Sequence, residues 1–313
     1  MPTLTEAQLI WGCDPSRQFE VSWLLSLLQP LDLHQLDATA GLVPEQVDLH
    51  RPRVLVESGL LWLERSRDPD RLAQQQHLRQ QRLAALASAG PLLLLHLSDE
   101  EGLDGDQLYP LLPPGTSVWR NFGYPRFDPA AGIRCFPIGP RREFLGIQPH
   151  RPASDRSSPW AFMGTLWASG SRTLAVSLFL RSLPSGQFYG GRHFGVGIPL
   201  EQYRQHLLDS VFALCPEGDR HFDTFRLYES LQMGCLPLVV ERQQQARSLL
   251  GQAFPLPIFD SWPQALAYAQ SHLGQPARLT AMQHQVHSWW SAYKGALVTG
   301  LRNSLPSTSP QSP

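Results

Sequence analysis

The chain has 313 residues, 42% of them hydrophobic and 17% charged, enough for two ordinary domains with substantial cores and unlike a disordered chain. With 26 basic against 27 acidic side chains the net charge is −1, which excludes the global positive field that a nucleic-acid-binding protein presents. Lys294 is the single lysine, so the positive charge is almost wholly arginine, the side chain suited to planar contacts with phosphate or carboxylate.

In the first half, short apolar runs alternate with helical patterns. "QLIWG" reads as a strand, "RQFEVSWLLSLLQ" as an amphipathic helix, and "RPRVLVESG" as a second strand. "DPDRLAQQQHLRQQRLAALASAG" is a helix with Asp68 or Asp70 near its start and Gly90 just past its end. "PLLLLHLSDEEG" follows as an apolar strand ending in acids, then "TSVWRNFG" and "IRCFPIGP" as short strands. Continuous apolar strands alternating with helices predict a parallel sheet covered on both faces. At "PRREFLGIQPHRPASDRSSP" periodicity vanishes, which predicts a connection between domains.

A second alternation comes next: "WAFMGTLW" as a strand, "SGSRTLAVSLFLRSL" as a helix, the glycine-rich "GQFYGGRHFGVG" as a loop, "PLEQYRQHLLDS" as a helix and "VFALCPEG" as strand and turn. Two helices close the chain, and "SLPSTSPQSP" is too polar and proline-rich to pack. The expected domains are 1–145 and 157–300, with a disordered tail over 303–313. Ligands of such sheets bind beyond the carboxyl ends of the strands, near helix N-termini, so a phosphate-bearing ligand is expected.

"ALCPEGDRHFDTFRLYESLQMGCLPLVV" (213–240) carries the sharpest chemistry. Pro216 and Gly218 make a turn at the end of a strand, and Asp223 or Thr224 can cap the helix that follows. Arg226 and Glu229 are three apart and share one face. Spacing alone leaves two readings open: a site for a nucleoside diphosphate and its ribose, or a surface ion pair.

The same stretch resembles the signature of the exostosin family of glycosyltransferases, at Pro216, Gly218, Thr224 (where the family has serine), Arg226, Glu229, Gly234, Cys235 and Pro237. "FMGTLWASGSRTLAVSLF" is similar to the family's entry to its donor-binding domain. "LLHLSDE", "WRNFGYP" and "FPIGPRR" resemble segments of the neighbouring ribitol xylosyltransferase branch. The resemblance spans roughly residues 90 to 242. It implies an α/β GT-B fold, two Rossmann-like domains with a cleft between them, and inverting transfer of a sugar from a nucleoside-diphosphate donor to a glycan or glycolipid hydroxyl. By position it makes Arg226 and Arg172 diphosphate ligands, Glu229 the ribose ligand, and Gly164, Pro216, Gly218 and Thr224 parts of the donor site.

An inverting enzyme needs a general base. Asp99 and Glu100, at the end of a strand in the first half, are the candidates, with His96 and Asp14 behind them; Arg120, Asn121, Arg141 and Arg142 either line the cleft or brace the linker. No metal or cofactor is expected, since arginines and a helix N-terminus can stabilise a departing diphosphate and "DGD" at 104–106 lies in the wrong half. The four cysteines form no CxxC pair, and no signal peptide or apolar run of membrane-spanning length is seen, which predicts a cytoplasmic, bacterial enzyme. The competing expectation is a catalytically silent protein that binds a nucleotide sugar or glycan.

Overall fold

The computed structural model describes residues 5–60, 68–124, 126–127, 132–148, 151–166, 170–191, 197–218, 220–241 and 245–307. It divides into two compact units, residues 1–137 with 295–313, and residues 138–294.

The first unit is built on six parallel strands in the order β2-β1-β3-β4-β5-β6. These are β1 (Thr5–Trp11), β2 (Leu31–Asp37), β3 (Arg53–Ser58), β4 (Leu93–Leu97), β5 (Ser117–Arg120) and β6 (Ile133–Cys135). Every residue of β3 and β4 is buried, as expected of central strands covered on both faces. Helix α1 (Val21–Leu28) turns Trp23, Leu24, Leu27 and Leu28 inward. Helix α2 (Pro69–Ala87) begins at Asp68, whose carboxylate accepts from the Arg71 amide at 3.1 Å. A third helix, α3 (Leu103–Leu108), follows the turn after β4. Strand β2 has no counterpart in the sequence reading: "LDLHQLD" is an edge strand with most of its residues partly or fully exposed, so it lacks an apolar run.

The second unit carries five parallel strands in the order β11-β10-β9-β7-β8. Its elements are β7 (Ser158–Thr165), α4 (Ser171–Ser182), β8 (Gln187–Gly191), α5 (Leu200–Asp209), β9 (Ser210–Cys215), α6 (Phe225–Gln232), β10 (Leu236–Val240), α7 (Gln245–Leu250), β11 (Ile258–Phe259), α8 (Trp262–Leu273) and α9 (Pro276–Asn303). The expected glycine-rich loop is in part strand β8, paired in parallel with β7 from Ala161–Gln187 to Thr165–Gly191. Its remainder, 192–196, lies outside the described residues.

Two expected boundaries move. The stretch read as a linker belongs to the second unit from Ile138 onward. The Ile138 amide donates to Asp223 at 3.2 Å, and buried Arg156 donates to the carbonyls of Leu207, Ser210 and Met233 at 2.8–2.9 Å. Proline and serine had hidden an anchored segment. At the other end α9 runs to Asn303, where the sequence placed the tail, and residues from Gly295 group with the first unit. There Trp119 donates its indole N–H to Ser304 Oγ at 2.9 Å, and the missing side chain of Gly300 leaves room for the Trp119 ring. Residues 308–313 of the expected tail lie outside the described residues.

Candidate functional site

The second unit holds the residues singled out around "CPEGDRHFDTFRLYES". Strand β9 ends at Cys215, and the turn beyond it closes through the Gly218 amide, which donates to His221 O at 2.6 Å. Pro216 and Gly218 are both buried. Thr224 occupies the N-cap of α6 with extended backbone (φ −136°, ψ 146°), yet its side chain does not cap the helix. Its Oγ1 is buried and has no hydrogen-bond partner. Gly234 (φ 68°) ends α6, with the Cys235 amide returning to Ser230 O at 2.9 Å.

Arg226 is 9% exposed. Its Nε and Nη2 donate to Met163 O at 3.1 and 3.0 Å, and the guanidinium lies 4.3 Å from the centroid of Phe162. Nη1 is buried without a partner. The guanidinium occupies the space above Gly164 (φ 153°), where a Cβ would come within 2.2 Å of Nη2. Glu229, one turn along, is 2% exposed. Its ion-pair partner is Arg141, through Nε, and Tyr203 donates its hydroxyl to the other carboxylate oxygen at 2.6 Å. Burial and the neighbouring Glu229 push the Tyr203 phenol well above its ordinary range, so it stays protonated as donor. The expected pair of Arg226 and Glu229 therefore resolves into two buried groups with separate partners.

Arg172 departs from its expected role. Nε donates to Glu217 O at 2.9 Å and Nη1 to Thr165 O at 2.8 Å, so the buried guanidinium ties the loop after β9 to the end of β7. It shapes the site as a brace between carbonyls rather than as an open phosphate ligand. Beside that loop a cavity of about 590 Å³ opens at the ends of β9 and β10, lined by Ser171, Glu217, Arg220, Glu241 and Trp262 among others. That volume suits a small-molecule ligand. Arg226, Thr224 and Glu229 do not line the cavity, so open volume and unmet donors sit on different residues; the unmet donors are the more specific sign of a ligand, because burial without a partner is costly.

In the first unit one of the two expected general bases, Asp99, is corrected. Asp99 is 1% exposed. Its Oδ2 accepts from Arg120 Nη1 and from the Gly105 amide, both at 3.1 Å, and Oδ1 lies 3.3 Å from the Asp104 amide. It caps α3 and neutralises a wholly buried arginine, which leaves it closed to an acceptor hydroxyl. Glu100 is half-buried on the same turn, its carbonyl accepting from the Tyr124 hydroxyl. His96 is enclosed between Asp104 Oδ2 (2.9 Å) and the Tyr109 hydroxyl (3.0 Å). Asp14 is exposed and starts a short helical turn by accepting from the Ser16 amide at 2.9 Å. Arg120 and Asn121 are buried within the first unit; Arg142 is exposed.

An ion network fills the same region. Arg82 donates to both oxygens of Glu57 at 2.8 and 3.0 Å, and Arg79 bridges Glu57 (3.4 Å) to Asp104 (2.8 Å). Burial acts to raise the Asp104 carboxyl, but His96 and Arg79 override it and hold it below the usual carboxylate range. The residues that sequence reasoning missed are Glu20 and Ser98. Glu20 is 4% exposed, its Oε1 2.6 Å from Ser98 Oγ, and burial pushes its carboxyl above the ordinary range. In the sequence it was one more acid near the start of an amphipathic helix. Among the described residues no cluster of three or more His, Cys, Asp or Glu side chains is placed to hold a metal, and no helix is long and apolar enough to cross a membrane.

Two units, each a parallel sheet flanked by helices, define the α/β GT-B class of fold. The crystal structure of a DNA-modifying β-glucosyltransferase, determined with and without its substrate uridine diphosphoglucose, matches 96% of this chain and 99% of its own at 13% identity and a TM-score of 0.51. A T4 phage BGT mutant with UDP-glucose (97% of this chain, 100% of that one) and T4 phage BGT with UDP and Mn2+ (96% and 99%) each share 12% identity at a TM-score of 0.49. No protein-family model matches the chain, and no curated protein matches it.

Proposed function

We propose that this protein is an inverting glycosyltransferase that moves a sugar from a nucleoside-diphosphate donor, in the first instance a UDP-sugar, to a hydroxyl of a glycan or glycolipid. One observation carries the reading: Arg226 Nη1 and Thr224 Oγ1 are buried without partners at the first turn of α6. Leaving a donor of this kind buried and unpaired costs about 1–3 kcal/mol, more for a charged group, so a ligand that meets it is favoured. The positive end of the helix attracts an anion, and an arginine there adds full charge. A diphosphate satisfies all of these.

Glu229 fits the ribose. Each carboxylate oxygen accepts more than one hydrogen bond, so the oxygens held by Tyr203 and Arg141 retain acceptor capacity for a vicinal diol. The exostosin-like motif supports the same assignment, and the fold is one in which a β-glucosyltransferase takes uridine diphosphoglucose. That enzyme modifies DNA; a net charge of −1 favours an uncharged or glycan acceptor here instead. With Arg226 and the start of α6 facing the developing charge, departure of the diphosphate needs no metal ion.

The commitment of Asp99 to Arg120 favours a second reading, a silent nucleotide-sugar-binding protein that lacks a base. Calorimetry with a panel of nucleotides and nucleotide sugars, on the parent and Arg226→Ala, tests the donor site. UDP is expected to bind the parent and to bind the variant at least about tenfold more weakly, a loss of about 1.4 kcal/mol. Equal affinity would remove the proposal's foundation. Release of UDP from a bound UDP-sugar, undiminished by a chelator, separates the transferase from the silent binder.

A further inference from the structure

Trp262 is the exception to the separation between open volume and unmet donors. It is the first residue of α8, 3% exposed, and its ring stands edge-on to Phe179 of α4 with centroids 6.3 Å apart. Its indole Nε1 is buried without a hydrogen-bond partner. The other buried tryptophans among the described residues all have one: Trp11 donates to Gln35, Trp23 to Pro137 O, Trp119 to Ser304, Trp160 to Leu183 O and Trp290 to Gln232. An indole N–H donates and accepts nothing, so what Trp262 lacks is an acceptor. Among the described residues it alone both carries such an unmet donor and borders the cavity of about 590 Å³.

The rest of the wall is mixed. Glu241, just past β10, accepts from the amides of Gln245 at 2.7 Å and Ala246 at 3.1 Å, which hold its carboxylate in place at the cavity. Ser171 brings a hydroxyl from the start of α4, and Phe222 an apolar surface. Donor and acceptor groups beside an apolar surface suit a ring of hydroxyls, each of which both donates and accepts. The order of groups in the proposed donor points to the same place. That order is ribose, diphosphate, sugar. Glu229 is assigned the ribose, and Arg226 and Thr224, nearer the start of α6 by about 1.5 Å per residue, the diphosphate. The sugar comes next, beyond the start of the helix. The turn between β9 and α6 lies there, and its Glu217, Arg220 and Phe222 line the cavity. Arg172 holds that turn in place through Glu217 O and Thr165 O.

We propose that this cavity is the subsite for the donor's sugar, that it takes a neutral, hydroxylated ring, and that Trp262 determines specificity by donating its indole N–H to a sugar oxygen. The proposal rests on the transferase reading above, and every residue it uses belongs to the second unit. Glu241 accepts from a sugar hydroxyl. A uronic acid is disfavoured, because its carboxylate would enter beside Glu217 and Glu241, with Arg220 the one cation among the described lining residues.

The test uses the full chain with isotope-labelled indole nitrogens, and UDP, UDP-glucose, UDP-galactose and UDP-glucuronate as probes. The Trp262 N–H resonance is identified by its absence from Trp262→Phe. It is expected to shift with at least one of the two neutral sugar nucleotides and to stay in place with UDP. By calorimetry Trp262→Phe should bind UDP as the parent does, and that sugar nucleotide about five- to tenfold more weakly. Leu174→Trp narrows the cavity from a lining position that is 52% exposed, and should weaken the same sugar nucleotide selectively. It keeps the test decisive if Trp262→Phe folds poorly. A resonance unmoved by both neutral sugars, or moved as far by UDP alone, overturns the subsite. So does a neutral sugar nucleotide bound as tightly by both variants as by the parent, or UDP-glucuronate bound more tightly than either neutral one. Failure of UDP to bind the parent is a different result, and it removes the donor reading itself.

Discussion

Arg226 reaches across to Gly164 so closely that its Nη2 occupies the position a methyl group on residue 164 would need, 2.2 Å from the ideal Cβ. The contact fixes the guanidinium over Phe162 and against Met163 O, with Nη1 left over. Gly164→Ala should therefore displace Arg226 rather than merely perturb β7, and the φ of 153° adds strain to any side chain there. Calorimetry is expected to show UDP affinity reduced at least about tenfold, about 1.4 kcal/mol. Unchanged affinity would mean that the guanidinium can bind from another position.

Tyr203 and Glu229 make a second such contact, hydroxyl to carboxylate at 2.6 Å inside the unit. Tyr203→Phe leaves one buried oxygen of Glu229 short of a donor, a loss of about 1–3 kcal/mol that urea unfolding would register. Arg141→Ala strips the buried Glu229 carboxylate of its ion-pair partner and should cost more, about 3–5 kcal/mol. Both variants are expected to weaken UDP binding if Glu229 holds the ribose; a ribose-free pyrophosphate should bind Tyr203→Phe as it binds the parent.

The ion network of the first unit offers a sharper contrast. Arg82 and Glu57 are both almost wholly buried, and Arg82 donates to both carboxylate oxygens. Arg82→Met leaves Glu57 only the 3.4 Å contact to Arg79 and should destabilise by about 3–5 kcal/mol. Replacing both, as Glu57→Gln with Arg82→Met, should cost less than the single change, since no bare charge remains. A double variant weaker than the single one in urea unfolding would show that shape, not charge, decides this corner. Arg17→Ala breaks only an exposed pair with Asp14 and should change stability by less than about 1 kcal/mol.

These relationships divide what was legible in the sequence from what was not. The turn at Pro216 and Gly218, the helix bearing Arg226 and Glu229 and its end at Gly234 are local, and turn chemistry and periodicity placed them. The partners of those side chains are not local. Arg141 is 88 residues from Glu229, and Met163 is 63 from Arg226. No spacing rule reaches that far, so burial turned an apparent surface pair into two separate contacts. Asp99 shows the same limit: an acid at the end of a strand reads as a base until Arg120, 21 residues on, neutralises it. Edge strands β2 and β8 escaped notice because their residues are too exposed to form an apolar run. Glu20 was hidden most completely, since nothing in "RQFEVSW" shows that this acid lies under Ser98.

Glu20 also predicts how stability depends on pH, independently of any reaction. Burial raises its carboxyl above the ordinary 4.5, against the lowering effect of the Ser98 hydrogen bond. The folded protein therefore holds this proton more tightly than the unfolded chain. Stability from that preference is fully present below the unfolded value and is lost as pH rises through the folded one. Asp104, held low by His96 and Arg79 despite its burial, works in the opposite sense and is felt only on acidification. Comparing the parent with Glu20→Gln removes the common terms. The Tm of the parent relative to the variant is expected to fall steadily as pH is raised from about 5 and to level off once Glu20 is ionised in the fold. A Tm difference that stays constant from pH 5 to 8, or grows in the parent's favour, would show Glu20 to be an ordinary ionised carboxylate.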